Sequence, residues 1–244
     1  MWVGQQLADG LDFWGFLGSL ILGGIILGIY TGLLGYVGAK TGLSLDLLSQ
    51  RAFGEKGSYL PSAMTSFTQI GWFSVGSFVS GGTATPNFAR FAKNGKSGAI
   101  TTVVAFFIGN SLMFFFGAVS SIFVGGNDIF EVMVRLNLFY LAVLVLGLNI
   151  WTTNDNALYT AGLGLANIFH QRKKPMVLLS GIIGTVASVW LYYNFCGWLN
   201  ILNCTLPPVG MILVLAYFMN KEDFETDQPK LKTIDWFAVA GVIL

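Results

Sequence analysis

Apolar residues in this chain gather into long runs separated by short polar connections. The runs Trp14–Val37, Tyr59–Thr83, Ser97–Val124, Leu136–Tyr159, Met176–Phe195 and Trp198–Met219 each approach or exceed the roughly 20 helical residues that span a bilayer. A seventh run, Trp236 to Leu244, is too short to cross alone. The stretch Thr41 to Gly57 mixes apolar and polar positions, as an amphipathic helix lying at a membrane surface does. The pattern predicts an all-α polytopic membrane protein. The first run carries Gly15, Gly18, Gly23, Gly24, Gly28, Gly32 and Gly35, small positions that let a neighbouring helix approach closely. Pro207 and Pro208 stand inside the last full run and predict a kink or break there.

The polar connections are sorted by charge. Twelve of the 13 Lys and Arg residues form four clusters: Lys40 with Arg51 and Lys56; Arg90, Lys93 and Lys96; Arg172, Lys173 and Lys174; and Lys221, Lys230 and Lys232. Only Arg135 stands apart, in a connection with Asp128 and Glu131. Short loops rich in Lys and Arg stay on the cytoplasmic side. Two clusters flank Tyr59–Thr83, and a single crossing would strand one of them outside. A re-entrant hairpin turning near Val75 and Gly76 keeps both inside, provided that its open backbone is buried in protein or lines a watery cavity.

Composition agrees: 54% hydrophobic, 10% charged and a mean hydropathy of +0.68, against about a quarter charged in a soluble domain. The basic residues make no continuous face for nucleic acid. One histidine, His170 in a connection, and two cysteines leave no metal-ligand set. Cys196 and Cys204, in or beside an apolar run, read as small buried thiols. No acid–base pair or nucleophile–histidine set stands at membrane depth, so the chain is expected not to be an enzyme and to need no cofactor. Met1-Trp2-Val3-Gly4 opens without a basic leader, and the last run is cut short at Leu244, so the chain is expected to be part of a longer one.

Two groups of polar residues remain as candidates for chemistry. Asn149, Thr152, Thr153 and Asn156 recur at helical spacing in the fourth run. Hydroxyls and an exposed carbonyl there suit a hard cation such as sodium, while the competing reading is interhelical hydrogen-bond glue. Asp155 is the carboxylate expected within an apolar run, either proton-linked or capping the inner end. The second group is Gln69 and Trp72, three apart on one helix face, followed by Ser77, Phe78 and Ser80. An amide suits the edge of a flat heterocycle and aromatic rings suit its faces, although each residue read singly is as well explained by packing.

Several strings resemble the nucleobase:cation symporter-1 family. They are Trp2-Val3-Gly4, Gly28 to Thr31, Leu34 to Leu43, Thr68 to Phe73, Gly109 to Phe114, Leu148 to Tyr159, and Pro207-Pro208-Val209-Gly210. The resemblance implies a partial LeuT-like inverted-repeat transporter fold. It assigns 1–9 to a remnant of the family's first helix, 14–38 to the second, and 59–83 to fused halves of the third and sixth. It assigns 97–124 to the seventh, 136–159 to the eighth, 176–195 to the ninth, 198–219 to the tenth and 235–244 to the start of the eleventh. The sequence passes directly from mid-third to mid-sixth helix between Trp72 and Ser77.

The resemblance further implies sodium-coupled uptake of cytosine across the inner (cytoplasmic) membrane, impaired in this internally deleted form. Trp72 and Phe78 would sandwich the base, and Gln69, Ser77, Ser80 and Asn149 would bond its edge. Thr152, Thr153 and the Asn149 carbonyl would hold sodium. The alternatives are a carrier for another nucleobase or a hydantoin, and a non-transporting membrane fragment.

Overall fold

The structure is a computed structural model that describes residues 11–75, 80–125, 129–226, 229 and 231–243. Calls on Trp2-Val3-Gly4, Ser77 and Phe78 therefore fall outside the described residues. The chain is helical: α1 (Phe13–Thr41), α2 (Leu45–Phe53), α3 (Tyr59–Val75), the single turns α4 (Ser80–Thr83) and α5 (Pro86–Ala89), α6 (Gly95–Val104) and α7 (Asn110–Val124). There follow α8 (Ile129–Arg135), α9 (Phe139–Phe169), α10 (Lys173–Tyr193), α11 (Phe195–Met219), α12 (Lys221–Glu225) and α13 (Trp236–Ile243). A π-helical turn, Ala105–Gly109, joins α6 to α7. Among the described residues three segments are long and apolar enough to cross a membrane: Phe13–Thr41, Gly95–Val124 and Lys173–Leu191.

The helices form two compact units. Residues 1–29 and 101–152 make one, and residues 30–100 and 153–244 the other. The first unit has a small core, with Phe16, Leu20 and Ala118 buried and Phe114 against them. Gly24 lies so close to Phe107 that a methyl group there would stand 3.0 Å from the ring. Its remaining apolar side chains, such as Ile25, Ile26, Phe123 and Val143, face outward, as they must where the solvent is lipid.

The second unit is densely packed. Leu34 and Val37 of α1, Leu45, Leu48 and Phe53 of α2, Val209, Leu213 and Tyr217 of α11 and Phe224 of α12 form its core. Ser44 starts α2 by accepting the Leu47 N–H, and Gly54 ends it at φ 86°. Gly54 is required twice over, because a methyl group there would also stand 2.6 Å from the Lys232 carbonyl. Backbone bonds then stitch the turn to the segment before α13: Glu55 N–H to Lys232 O, Lys56 N–H to Thr233 O and Asp235 N–H to Phe53 O.

The chain reverses after α3. Ser62 Oγ donates to Asp46 Oδ1 at 2.6 Å, while the adjacent Leu45 N–H donates to Asn87 Oδ1 at 2.8 Å. Residues 62 and 87 therefore lie at the same end of the unit, whereas one straight helix would hold them about 37 Å apart. The turn expected near Val75 and Gly76 runs into residues outside the described ones.

Described members of each basic cluster lie near that end, Lys232 through the bond of its carbonyl to the Glu55 N–H. Lys40 pairs with Glu225 at 4.0 Å, Arg51 donates to the Asp223 carbonyl, Arg90 donates to the Tyr159 hydroxyl, and Lys173 lies over the Tyr159 ring at 3.6 Å. Arg135 is in the other unit and pairs with Glu131 at 2.6 Å.

Several expectations need correction. The fourth run does not end at Tyr159, because α9 continues to Phe169. Gly162 and Gly164 read as loop residues, yet they are where neighbours press on the helix. A methyl group at 164 would meet Ser66 Oγ at 2.1 Å, and one at 162 would meet Val177 at 2.3 Å. The helix α11 runs unbroken through Pro207 and Pro208. Trp198, at the start of the sixth apolar run where an interfacial aromatic would stand, is instead buried on Gly71 and Phe67 of α3, at a ring distance of 4.2 Å from Phe67. Gly71 has no side chain to hold the indole off, so the ring settles inward. Cys204 is exposed rather than buried.

Candidate functional site

One face of α3 carries Ser62, Ser66, Gln69 and Trp72 at intervals of three or four residues. Its inner part is bonded throughout. Ser62 reaches Asp46, and Ser66 Oγ donates to the Ala161 carbonyl at 3.2 Å. Asn167 Nδ2 donates to Ser58 Oγ at 3.1 Å and Ser62 Oγ at 2.9 Å, while its Oδ1 accepts from Gln50 Nε2 at 2.5 Å. Thr160 Oγ1 lies 3.5 Å from Asn87 Nδ2. Farther along the face Gln69 is buried, at 6% exposure. Trp72 follows within α3 and Ser80 opens α4, although their side chains are outside the described residues. The structure thus keeps Gln69 and Trp72 on one helix and sets the Ser80 backbone at the far side of the reversal.

The remaining candidates are on α9. Thr152 Oγ1 stands 3.1 Å from the Leu148 carbonyl and 3.1 Å from the Asn149 carbonyl. Two hard oxygens expected to hold a cation are therefore already adjacent. Asn149 and Thr152 are exposed and belong to the first unit; Thr153, half-buried, opens the second. Among the described residues no group of His, Cys, Asp and Glu forms a metal site, and oxygen ligands from hydroxyls and carbonyls are what a monovalent hard cation takes.

Residues that sequence reasoning passed over now stand out. The Asp46 carboxyl, at 5% exposure, is the buried acid of the inner end, whereas Asp155 is exposed. Burial pushes the Asp46 carboxyl up to about 6, against the opposing pulls of the Ser62 hydrogen bond and the Arg90 charge. The sequence reading did not single out Asp46, which stands in the first turn of α2. Tyr30 Oη sits 2.8 Å from Thr83 Oγ1, in a gap left by Gly210. For Thr160 and Asn167 a signal did exist: they continue the helical spacing of Asn149, Thr153 and Asn156.

The membrane-length apolar helices define a polytopic membrane protein. A model of the family described as "Permease for cytosine/purines, uracil, thiamine, allantoin" matches residues 1–83 and 74–229. The chain is 36% identical to the cytosine permease of Escherichia coli strain K12, over 335 aligned residues covering 100% of this chain and 80% of the relative. The cytosine permeases of E. coli O6:H1 and O157:H7 match to the same extent. The chain belongs to this permease family, a family of transporters and not of enzymes. The alignment is longer than the 244 residues present, so part of the relative has no counterpart here.

Proposed function

We propose that this chain derives from a cytosine carrier of the cytoplasmic membrane in which base and sodium bind together. The supporting observation is the α3 face, on which Gln69 is buried beside the position of Trp72 within a helix that α9 and α10 pack against. Gln69, Ser77, Ser80 and Asn149 would read the donor–acceptor edge of the base, and Trp72 and Phe78 its faces. Sodium would take the Asn149 carbonyl, Thr152 and Thr153, whose first two oxygens stand 3.1 Å apart. Binding of both ligands on α9 couples them when each favours the same conformation. The four basic clusters gathered at one end support placing that end in the cytoplasm.

The same family model matches in two stretches that overlap at 74–83, and this supports a fusion of two distant parts of the carrier near Trp72 and Ser77. The exposure of Asn149, Thr152, Asp155 and Asn156 within a spanning helix favours a second reading, a membrane fragment that binds without transporting. Uptake of radiolabelled cytosine into proteoliposomes separates these readings. Sodium-dependent uptake supports the symporter. Uptake unchanged by choline replacement removes the sodium coupling, and cytosine-dependent stabilisation without uptake supports the fragment. Competition by uracil, hypoxanthine and hydantoin tests the choice of base.

A further inference from the structure

We propose that Arg90 is a two-position arm at the inner end, resting on Tyr159 while the Asp46 carboxyl is protonated and swinging onto the carboxylate when the proton leaves to water. This goes beyond the transport reading and does not rest on it.

Three observations carry the proposal. Asp46 is buried where four elements meet: its own helix α2, Ser62 of α3, the returning turn α5, and α9. A buried carboxylate without a cation is costly, so ionisation demands a partner. Arg90 is the cation whose charge reaches it. Its guanidinium now donates to the Tyr159 hydroxyl, yet its Nε is buried with no acceptor. A donor left idle in the interior is a cost that the carboxylate would remove, through a two-point Arg–carboxylate contact.

The third observation is the tether. Asn87, three residues before Arg90, already bonds the Leu45 N–H next to Asp46. The returning turn is therefore held at the right place and only the arginine side chain has to move. Such a swing adds a second tie between the returning turn and α2 and releases Tyr159, on which Lys173 also rests. The other titratable groups nearby are already engaged: Arg51 of α2 with the Asp223 carbonyl, and Tyr59 of α3 with His170 at 3.4 Å.

The sign of the pH effect follows from the Asp46 carboxyl, whose value rises from 3.8 to about 6 in the fold. The folded chain keeps a proton that the unfolded chain has lost, so stability falls as pH rises through that window. The test uses the 244-residue chain in detergent, with thermal melts and backbone hydrogen exchange from about pH 3 to about pH 8. The wild type should lose thermal stability as pH rises from 3.8 toward about 6 and level off above that, and exchange at residues 86–92 should slow with a midpoint near 6.

Asp46→Asn should abolish both changes. Arg90→Gln should move the midpoint up by about one unit, because the cation favouring the carboxylate is gone. Tyr159→Phe should move it down, because the resting position of the arm is lost. An Asp46→Asn chain that keeps the wild-type transition overturns the proposal, as do Arg90→Gln and Tyr159→Phe chains with an unmoved midpoint. These last two variants decide the matter even where Asp46→Asn does not fold. No substrate enters the measurement, so its failure is distinct from a failure of cytosine uptake.

Discussion

The two ends of α9 carry the same kind of sequence and meet different fates. Toward its C-terminus, Tyr159, Thr160 and Asn167 are bonded to Arg90, Asn87, Ser58, Ser62 and Gln50 on other elements. Toward its middle, Thr152 turns back to carbonyls of its own helix, and Asn149, Asp155 and Asn156 are exposed. Asn149, Thr153, Asn156, Thr160, Gly164 and Asn167 nevertheless recur at one helical spacing. Polar side chains in a spanning helix thus serve as glue where a neighbouring backbone comes close. Where no neighbour closes over them they remain available to a ligand.

The comparison breaks most severely at Gly164. A Gly164→Val chain would place side-chain carbon 2.8 Å from the Ser62 carbonyl and closer still to Ser66 Oγ. We expect a loss of about 3 kcal/mol, read as lost cooperative melting, because backbone cannot give way as a flexible side chain can. Asn167→Ala comes next, since it strips partners from Ser58, Ser62 and Gln50 together. Its expected cost is about 2 kcal/mol in a denaturation midpoint.

Thr160→Val removes a single bond at 3.5 Å, for an expected cost of about 0.5 kcal/mol. In a double-mutant cycle with Asn87→Ala its coupling should be equally small. Thr152→Val is the sharpest contrast. It should change stability by no more than about 0.5 kcal/mol, since only a bond back to its own helix is lost. It should also abolish any stabilisation by sodium over choline. A Thr152→Val cost as large as that at Asn167 would mean that the middle of α9 is glue after all.

Much of this was legible before any coordinates. The run Trp14–Val37 lies within α1, and the mixed stretch after it contains α2 with Leu45, Leu48 and Phe53 on its buried side. Asn87 and Ser62 bond the neighbouring residues Leu45 and Asp46, which brings the two sides of Tyr59–Thr83 to one place. Gln69, Thr152 and the Asn149 carbonyl were singled out as candidates by residue type and spacing; the first is buried, and Thr152 donates to the carbonyl of Asn149 as a helical threonine does. Ser77 and Phe78 lie outside the described residues.

What stayed hidden depends on the neighbour and not on the residue. Gly162 and Gly164 are loop-formers by propensity, and only the approach of Val177 and Ser66 explains them inside a helix. Trp198 had the look of a boundary aromatic, until Gly71 of another helix proved to offer it a seat. Asp46, in the first turn of α2, drew no notice in the sequence, and it is buried with Ser62 of α3 as its partner.

The sequence by itself determined that the chain is helical and belongs in a membrane. Those properties follow from transfer of apolar and charged groups between water and lipid, which each segment undergoes largely on its own. The tertiary structure alone decided which polar groups are spent on one another and which are left open. A hydrogen bond between residues 100 positions apart has no local signature, because its partner is chosen by packing. The buried Asp46, the idle Nε of Arg90 and the Thr152 hydroxyl turned back onto its own helix are all consequences of that choice.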